Sequence, residues 1–354
     1  MKCGFVSIWF SRGQAFVTRT FMDALKNNHE IYIFARTGTV FGEEKMASGG
    51  IWDVPNLTRY PEYKIKPDDL VEWIQENAID VVIFNEEYDF GLVEQVKKRT
   101  DAKIITYLDF YRDDWKPYMS LYDQVWCSTK RAYELATDFD TEANFIGWGV
   151  DTELFKPPPP SNLKNSKFTF FHNAGWLGNN FRKMTPAVIH TFNEACKHNY
   201  DITLLVHAQA GLDKLPPEII KMIEDNERIE YRVGTVQQPG YYNECKILIF
   251  ISKLEGLGLP LLEGMACGMP VIATDAPPMN EFVVDQHNGY LIPVEQKLAR
   301  YDNIAFPENI VDLNAFCHKM LNFENRIEMG NNSRELVLNN YTLKHLKDRI
   351  ERTF

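Results

Sequence analysis

Residues 246–275, KILIFISKLEGLGLPLLEGMACGMPVIATD, carry the pattern from which the fold is most readily predicted. An apolar run is followed by a loop that contains Gly256 and Gly258, by a short helical segment from about Pro260 to Cys267, and by the second apolar run PVIAT. Glycine lets the backbone turn sharply and approach a ligand closely, and proline suits the first helical position. Because free amides and the positive end of a helix dipole would then face the loop, the order of these elements predicts an anion site.

Two carboxylates, Glu255 and Glu263, flank this loop, and three interpretations of them are open. In the first, Glu263 complements the helix dipole and Glu255 is a solvated loop charge. In the second, the loop is a dinucleotide fingerprint that ends near Asp275, although Leu261 occupies its third glycine position. In the third, each carboxylate accepts hydrogen bonds from a vicinal diol. The third interpretation predicts a nucleotide-diphosphate sugar, with its diphosphate on the loop, its ribose on Glu263 and its sugar on Glu255.

The rest of the chain alternates short apolar strands with amphipathic helices, which predicts parallel α/β sheets. Strands are predicted at KCGFVSIWF, EIYIFAR, IDVVIFNE, AKIITYLD and DQVWCS, and again at KFTFFHNAG, ITLLVHAQ, IEYRVGTV, KILIFIS, PVIAT and NGYLIPV. After NGYLIPV the sequence reads as helical to its end. Four consecutive prolines, Pro157 to Pro160, interrupt the alternation and favour a stiff link.

We therefore predict two Rossmann-like domains facing across a cleft. The boundaries are an acceptor-side domain at 1–155, a proline-rich linker at 156–166, a nucleotide-sugar domain at 167–335, and a C-terminal helix at 336–354 that packs back on the first domain. A hinge is expected from Phe155 to Pro160.

Composition narrows the class of protein. The chain has 354 residues, 45% of them hydrophobic, and a net charge of -11, which suits a soluble protein of two domains. Residues 1–155 carry 17 basic and 26 acidic side chains, which argues against nucleic acid and against strong docking on anionic lipid. Six scattered cysteines without ligand spacing favour reduced thiols and no zinc site. No signal peptide or membrane span is read, so we expect a cytoplasmic protein with at most peripheral contact at the inner membrane face.

The sequence of residues 255–275 resembles the signature of retaining GT-B glycosyltransferases of glycosyltransferase family four, in which an E-x7-E pair brackets the loop. FIGWGVDTELFKP is similar to the segment that closes the first domain in that family. DAPPMNEFVVDQHNGYLIPV, which contains Glu281, and SRELVLNNYTLKHLKDRI resemble its last segments. The resemblance is good over about residues 140–354 and looser before them.

The resemblance implies roles for particular residues. GWLGNNFRKM resembles the family segment that contacts the diphosphate, which assigns that contact to Arg182 and Lys183. Fixed cations there would stabilise the departing nucleotide diphosphate. The implied catalytic residues are Glu255, Arg182, Lys183 and Asp109, and the implied donor-binding residues are Gly13, Gly175, Thr235, Val236, Gly256, Leu257, Gly258, Leu259 and Glu263.

The first domain departs from the family at one position. TYLDFYRDDW falls where many members carry a histidine that touches the donor sugar, and Leu108 stands in its place while Asp109 matches. Asp109, Glu86 or Glu87 could therefore take a hydroxyl of the sugar or of the acceptor. Each of them alone also suits an ordinary charge at the edge of a cleft.

The implied function is metal-independent transfer of a sugar, with retention, from a nucleotide-diphosphate sugar to a glycan, glycolipid or glycoprotein hydroxyl. No cofactor is expected beyond this co-substrate. A sugar-nucleotide epimerase of GT-B shape and a non-catalytic sugar-nucleotide binder are the alternatives.

Two other candidate sites are given structural interpretations. Residues 138–140 have the sequence DFD, but they follow a polar helix and are not interpreted as a metal site. His172 is interpreted first as a structural histidine.

Overall fold

The computed structural model describes residues 1–38, 45–159, 168–176, 181–300 and 302–354. Internal contacts divide the chain into two compact units, one formed by Met1–Gly149 with Leu343–Phe354 and the other by Val150–Thr342. Residues 150–155, which the sequence assigned to the first domain, belong to the second unit. Within the linker predicted at 156–166, residues 160–166 lie outside the described part, and the hinge stays a prediction.

The first unit contains a parallel sheet of seven strands in the order β3-β2-β1-β4-β5-β6-β7. Its central strands, such as VVIFN, are buried over their whole length because both faces of a parallel sheet are covered. The strands are β1 Lys2–Ile8, β2 Glu30–Arg36, β3 Leu57–Tyr60, β4 Val81–Asn85, β5 Lys103–Tyr107, β6 Gln124–Cys127 and β7 Glu142–Phe145. The helices are α1 Gly13–Leu25, α2 Pro67–Glu76, α3 Phe90–Arg99 and α4 Lys130–Ala136, with a 3-10 helix at Asp113–Leu121.

The second unit contains a parallel sheet of six strands in the order β10-β9-β8-β11-β12-β13. One face of this sheet and the helices against it form a buried core that includes Phe170, Phe192 and Phe316. The strands are β8 Phe168–Gly175, β9 Leu204–Ala208, β10 Ile229–Val233, β11 Cys245–Phe250, β12 Val271–Thr274 and β13 Gly289–Ile292. The helices are α5 Thr185–Ala195, α6 Pro217–Asp225, α7 Leu259–Ala266, α8 Met279–Phe282, α9 Leu313–Leu321 and α10 Arg326–Asn340.

The expectation of helical sequence after NGYLIPV is wrong at its start. Strands β14 Val294–Leu298 and β15 Glu308–Val311 form an antiparallel pair before α9 begins. Most of β14 is exposed, so its sequence VEQKL lacks the apolar run that marks a buried strand.

The C-terminal segment predicted at 336–354 is divided between the two units. Helix α10 continues to Asn340 in the second unit, and a separate helix, α11 Leu343–Ile350, belongs to the first unit. There Glu351 lies 3.1 Å from the imidazole Nε2 of His29, and the carbonyl of Thr353 accepts a hydrogen bond of 3.0 Å from Lys103. The return to the first unit therefore begins at Leu343.

Candidate functional site

The glycine loop joins β11 to α7 in the second unit. Gly258 precedes the helix with a φ of +84°, a conformation that residues with a Cβ rarely adopt, and an added Cβ would lie 3.2 Å from the ring of Phe250. The helix begins at Leu259 with Pro260 next, one residue earlier than predicted. Gly256, Leu257 and Gly258 are buried, and Leu259 is partly exposed. Within the described residues no side chain caps this helix, whose first amides therefore lie at the loop.

Glu255 lies at the start of this loop and is bound by two cations. Its Oε2 is 2.7 Å from Nη1 of Arg182, and its Oε1 is 3.0 Å from Nζ of Lys183. The hydroxyl of Ser252 donates a third hydrogen bond of 2.8 Å to Oε1. The structure thus brings three of the predicted catalytic residues into direct contact, and it adds Ser252, which no sequence motif marked.

Burial and charge act in opposite directions on Glu255, which is only 4% exposed. Burial raises its pKa, but the charges of Arg182 and Lys183 and the hydrogen bonds outweigh burial and lower the pKa to about 2. The pKa of Lys183 is lowered because burial outweighs the attraction of Glu255. Glu255 is therefore a carboxylate under ordinary conditions, and the interpretation of it as a solvated loop charge is wrong.

The segment that carries the two cations is attached to the glycine-loop segment. The guanidinium of Arg182 donates to the carbonyl of Leu254 at 2.7 Å, and the Arg182 carbonyl accepts from the amide of Lys253 at 2.8 Å. The ammonium of Lys183 lies 4.5 Å from the centre of the Phe250 ring. Gly175, at the end of β8, has a φ of +58°, and a Cβ on it would lie 3.9 Å from Cε of Lys183. Gly175 and Lys183 therefore lie close together, and their roles in donor binding stay predictions.

Glu263, the second bracketing carboxylate, lies on α7 and is partly buried. The hydroxyl of Tyr242 donates a hydrogen bond of 2.6 Å to its Oε2. Burial raises the pKa of Glu263 to about 7, although Tyr242 and the charge of Lys183 act to lower it. A carboxyl group that titrates near neutrality beside a cation is typical of a functional site rather than of a simple dipole partner.

Thr235 and Val236, two of the predicted donor-binding residues, follow β10. Gly234, with a φ of +129°, ends the strand, and its carbonyl is 2.8 Å from Nε2 of His207. The side chain of Gln209 donates to the hydroxyl of Thr235 at 3.3 Å. Because β8, β9, β10 and β11 are neighbours and parallel, this loop lies at the same sheet edge as the glycine loop.

His172 is a structural histidine, as first read. It is 1% exposed, its Nε2 lies 3.0 Å from the hydroxyl of Thr185, and its Nδ1 lies 3.4 Å from the carbonyl of Ile249. Burial and the charge of Lys183 lower its pKa to about 3. The imidazole is therefore neutral and is engaged on both nitrogens.

The remaining predicted residues, Gly13 and Asp109, belong to the first unit. Gly13 begins α1 and is exposed. Asp109 comes two residues after the end of β5, and one of its oxygens, Oδ1, is buried without a hydrogen-bond partner among the residues described. Asp109 acts on Glu86, whose pKa is raised well above its usual value, first by burial and then by Asp109. The predicted site residues thus form two groups, one in each unit.

The described residues contain no group of three or more His, Cys, Asp and Glu side chains placed to hold a metal ion. Metal independence itself stays a prediction. No helix in the described ranges has the length and hydropathy needed to cross a membrane.

Part of the second unit, which carries the glycine loop, matches a known protein family. Residues 219–305 match the family Glycosyl transferases group 1. This match includes Glu255, Glu263 and the whole glycine loop, so the glycine-loop part of the candidate site is similar to a glycosyltransferase domain, whereas Arg182 and Lys183 lie outside the matched residues. The dinucleotide-fingerprint interpretation receives no support from it.

Two solved structures resemble almost the whole chain. A glycosyltransferase from Rickettsia africae has a TM-score of 0.76 at 15% identity and covers 99% of this chain and 97% of its own. Anabaena HepE, solved with UDP and glucose, has a TM-score of 0.75 at 14% identity and covers 100% of this chain and 99% of its own. The chain has the GT-B fold, and the predicted fold class of two parallel-sheet α/β domains is confirmed.

Sequence similarity to characterised proteins is more local. The GtfA subunit of a UDP-N-acetylglucosamine–peptide N-acetylglucosaminyltransferase from Streptococcus pneumoniae is 34% identical over 101 residues, which is 28% of this chain and 20% of that protein. The chain therefore spans about a fifth of the length of that relative.

Proposed function

We propose that this chain is a retaining GT-B glycosyltransferase of family four that moves a sugar from a nucleotide-diphosphate sugar to an acceptor hydroxyl without a metal. The observation that carries the proposal is the buried carboxylate of Glu255, held at 2.7 Å by Arg182 and at 3.0 Å by Lys183, at the start of a glycine loop that lies within the matched glycosyltransferase segment.

The donor would lie along the glycine loop. Its diphosphate would accept hydrogen bonds from the amides at the start of α7, where the loop backbone allows close approach. Glu263 would accept hydrogen bonds from the ribose, and the loop at Thr235 and Val236 would contact the base. Glu255, ionised by its two cations, would accept hydrogen bonds from hydroxyls of the transferred sugar.

Arg182 and Lys183 would act on the leaving group. As the bond between the anomeric carbon and the phosphate oxygen breaks, its electron pair stays on the nucleotide diphosphate, whose added charge fixed cations stabilise. The acceptor oxygen bonds to the anomeric carbon on the same face, and its proton passes to the departing phosphate. The protein therefore needs to supply position and charge, and no nucleophile of its own.

A UDP-sugar is the first donor to test. The name of the S. pneumoniae relative includes UDP-N-acetylglucosamine, and the HepE structure contains UDP and glucose. We propose a carbohydrate or glycolipid acceptor, a cytoplasmic location and no more than peripheral membrane contact.

The test is turnover of UDP-, GDP-, ADP- and dTDP-sugars in the presence of EDTA, with the anomeric configuration of the product read by NMR. The proposal expects transfer with retention for at least one donor. An inverted product would refute retention, and loss of turnover with EDTA would refute metal independence. Conversion of the donor without an acceptor would indicate the epimerase instead, and donor binding without transfer or hydrolysis would indicate the non-catalytic binder.

A further inference from the structure

The antiparallel pair of strands β14 and β15 lies beside the segment that leads into the glycine loop. Two hydrogen bonds run from Asn309 of β15 to the carbonyl of Lys253: the backbone amide donates at 2.8 Å and the side-chain Nδ2 donates at 3.1 Å. Lys253 lies two residues before Glu255. The strand pair therefore reaches the candidate site through the backbone of the segment that carries its buried carboxylate.

Asn309 is a polar residue at a buried position of β15. It is 4% exposed, and Val311, two residues further along the strand, is 0% exposed and belongs to the hydrophobic core of the second unit. Alternate residues of a strand lie on the same face, so Asn309 belongs to the buried face. A buried amide costs free energy unless it is hydrogen-bonded, and packing alone would favour an apolar residue here. The bond from Nδ2 to the Lys253 carbonyl supplies a partner for this amide.

The bonds from Asn309 complete a set that holds every peptide group leading to Glu255. The amide of Lys253 donates to the carbonyl of Arg182 at 2.8 Å. The carbonyl of Lys253 accepts both bonds from Asn309, and a carbonyl oxygen has two lone pairs to offer. The carbonyl of Leu254 accepts a hydrogen bond of 2.7 Å from the guanidinium of Arg182. Three successive peptide groups are thus bound, and Asn309 holds the middle one.

The strand that carries Asn309 is itself held at both ends. At its start, the carboxylate of Glu308 lies 2.7 Å from Nη1 of Arg300 and 3.9 Å from Nζ of Lys253. Just after its end, the amide of Asp312 donates to the carbonyl of Pro293 at 3.0 Å. β15 is therefore a fixed support against which the backbone at Lys253 rests.

We propose that Asn309 is a positioning residue for glycosyl transfer: by fixing the Lys253 carbonyl, it sets the direction in which Glu255 presents its carboxylate to the transferred sugar. The inference rests on the proposed function. It adds a residue from β15, which lies just beyond the matched residues 219–305. A displacement of about 1 Å near reacting groups can lower a rate about a hundredfold, so a small shift of this backbone is enough to affect transfer.

The nucleotide part of the donor should depend much less on Asn309. Its proposed contacts are the first amides of α7 and the carboxyl group of Glu263, which follow Glu255 in the chain, and the cations of the Arg182 segment. None of these groups is bonded to Asn309 directly in the part of the chain that the structure describes. Loss of the Asn309 amide should therefore lower the rate of transfer and leave nucleotide binding nearly unchanged.

The test replaces Asn309 by leucine, which has the same branched shape but no Nδ2 donor. With the nucleotide sugar that the wild type turns over, kcat should fall about tenfold in Asn309→Leu. The Kd of the corresponding nucleoside diphosphate, measured by calorimetry, should change by less than about twofold. In 15N TROSY spectra, the amide signals of Leu254 and Glu255 should shift. Asn309→Ala, which leaves more space, should show the same separation of kcat from Kd.

Two control variants lie on the same pair of strands. Gln296→Leu replaces an exposed amide of β14 and should behave like the wild type in every measurement. Val311→Ala removes two methyl groups from the buried face of β15 and should lower the Tm at least as far as Asn309→Leu does. Because Val311→Ala leaves the Asn309 amide in place, its kcat should stay close to that of the wild type.

The possible outcomes separate this inference from the proposed function. Unchanged kcat in both Asn309 variants, or unchanged amide signals of Leu254 and Glu255, would overturn the inference and leave the proposed function standing. Equal losses of kcat and nucleotide affinity, or a similar fall of kcat in Val311→Ala, would indicate general damage to the fold and would also overturn it. If the wild type turns over no nucleotide sugar, the proposed function fails instead, and the amide signals still show whether Asn309 fixes this backbone.

Discussion

Nη1 of Arg182 lies 2.7 Å from Oε2 of Glu255, a contact between a loop cation and a buried carboxylate that are far apart in sequence. Lys183 lies 3.0 Å from the other carboxylate oxygen of Glu255. The negative charge of Glu255 therefore holds both cations at the place where a diphosphate is proposed to bind. Glu255 thereby positions the cations and is itself kept ionised.

Glu255→Gln should lose transfer while retaining measurable nucleotide binding. The amide keeps the shape of the side chain but no longer accepts strong hydrogen bonds from the sugar, and the two cations remain to attract the diphosphate. Donor affinity by calorimetry and transfer by product formation would separate the two effects. Full transfer activity in this variant would show that Glu255 has no role in the transfer reaction.

Acid stability provides a second check on Glu255. Its pKa is lowered in the folded chain to about 2 from 4.5, so its contribution to stability is present above pH 4.5 and is lost as the pH falls toward 2. The shift corresponds to about 3 kcal/mol in the free energy of unfolding. Urea unfolding from pH 3 to 7 should show a smaller loss with acid in Glu255→Gln than in the wild type. Parallel profiles would contradict the ion-pair network.

Glu263 should make the stability of the fold depend on pH in the opposite direction. Its folded pKa of about 7 lies above 4.5, so the stability it contributes is present below pH 4.5 and is lost as the pH rises through 7. Glu263→Gln, which does not ionise, should lose this dependence, on the order of 3 kcal/mol between pH 4.5 and 8. Affinity for a nucleotide-diphosphate sugar should also fall in this variant, and an unchanged affinity would exclude the ribose role.

Tyr242→Phe should shift that titration upward. The Tyr242 hydroxyl donates a hydrogen bond of 2.6 Å to Glu263, and this bond lowers the pKa of Glu263. Removal of the hydroxyl should therefore raise the pKa of Glu263 further. The pH at which donor affinity reaches half its maximum should therefore move to a more alkaline value. Tyr241→Phe, at the neighbouring residue, is the control. Equal pH profiles for all three proteins would mean that Tyr242 does not act on Glu263.

Gly258→Ala should destabilise the second unit and weaken donor binding. The cost of a Cβ at a φ of +84° is about 1–2 kcal/mol, and contact at 3.2 Å with Phe250 adds to it. Gly50→Ala is the matched control, because Gly50 also has a positive φ, +56°, with nothing within 4 Å of an added Cβ. A similar loss of stability in both variants would show that the Phe250 contact contributes little.

Much of the fold could be predicted because its central strands are continuously apolar. VVIFN and CKILIF are buried over nearly their whole length, and such runs between helical patterns identify parallel strands. Four strands were missed: LTRY, EANF, VEQKL and ENIV. All are short, the first three are largely exposed, and none contains a long apolar run. These strands form because an adjacent strand offers them backbone hydrogen bonds, and the local sequence pattern carries no sign of that pairing.

The residues of the candidate site could be predicted from the sequence, but the contacts between their side chains could not. The sequence placed Arg182, Lys183 and Glu255 around one ligand, yet it gave no sign that they bind one another. That contact depends on the pairing of β8 with β11, in which His172 lies opposite Ile249. Tyr242 was missed because its role comes from packing against Phe171 and Phe155 and not from a local motif.

The proposed donor site is tested most sharply by calorimetric titration of UDP-, GDP-, ADP- and dTDP-sugars into the wild type and into Lys183→Ala at neutral pH. Lys183→Ala removes one of the two proposed diphosphate cations, and Lys214→Ala, at an exposed lysine of the same unit, is the control. We predict saturable binding of at least one donor to the wild type and the control, with affinity about tenfold or more weaker in Lys183→Ala. Equal affinity in all three proteins, or no binding of any nucleotide sugar to the wild type, would contradict it.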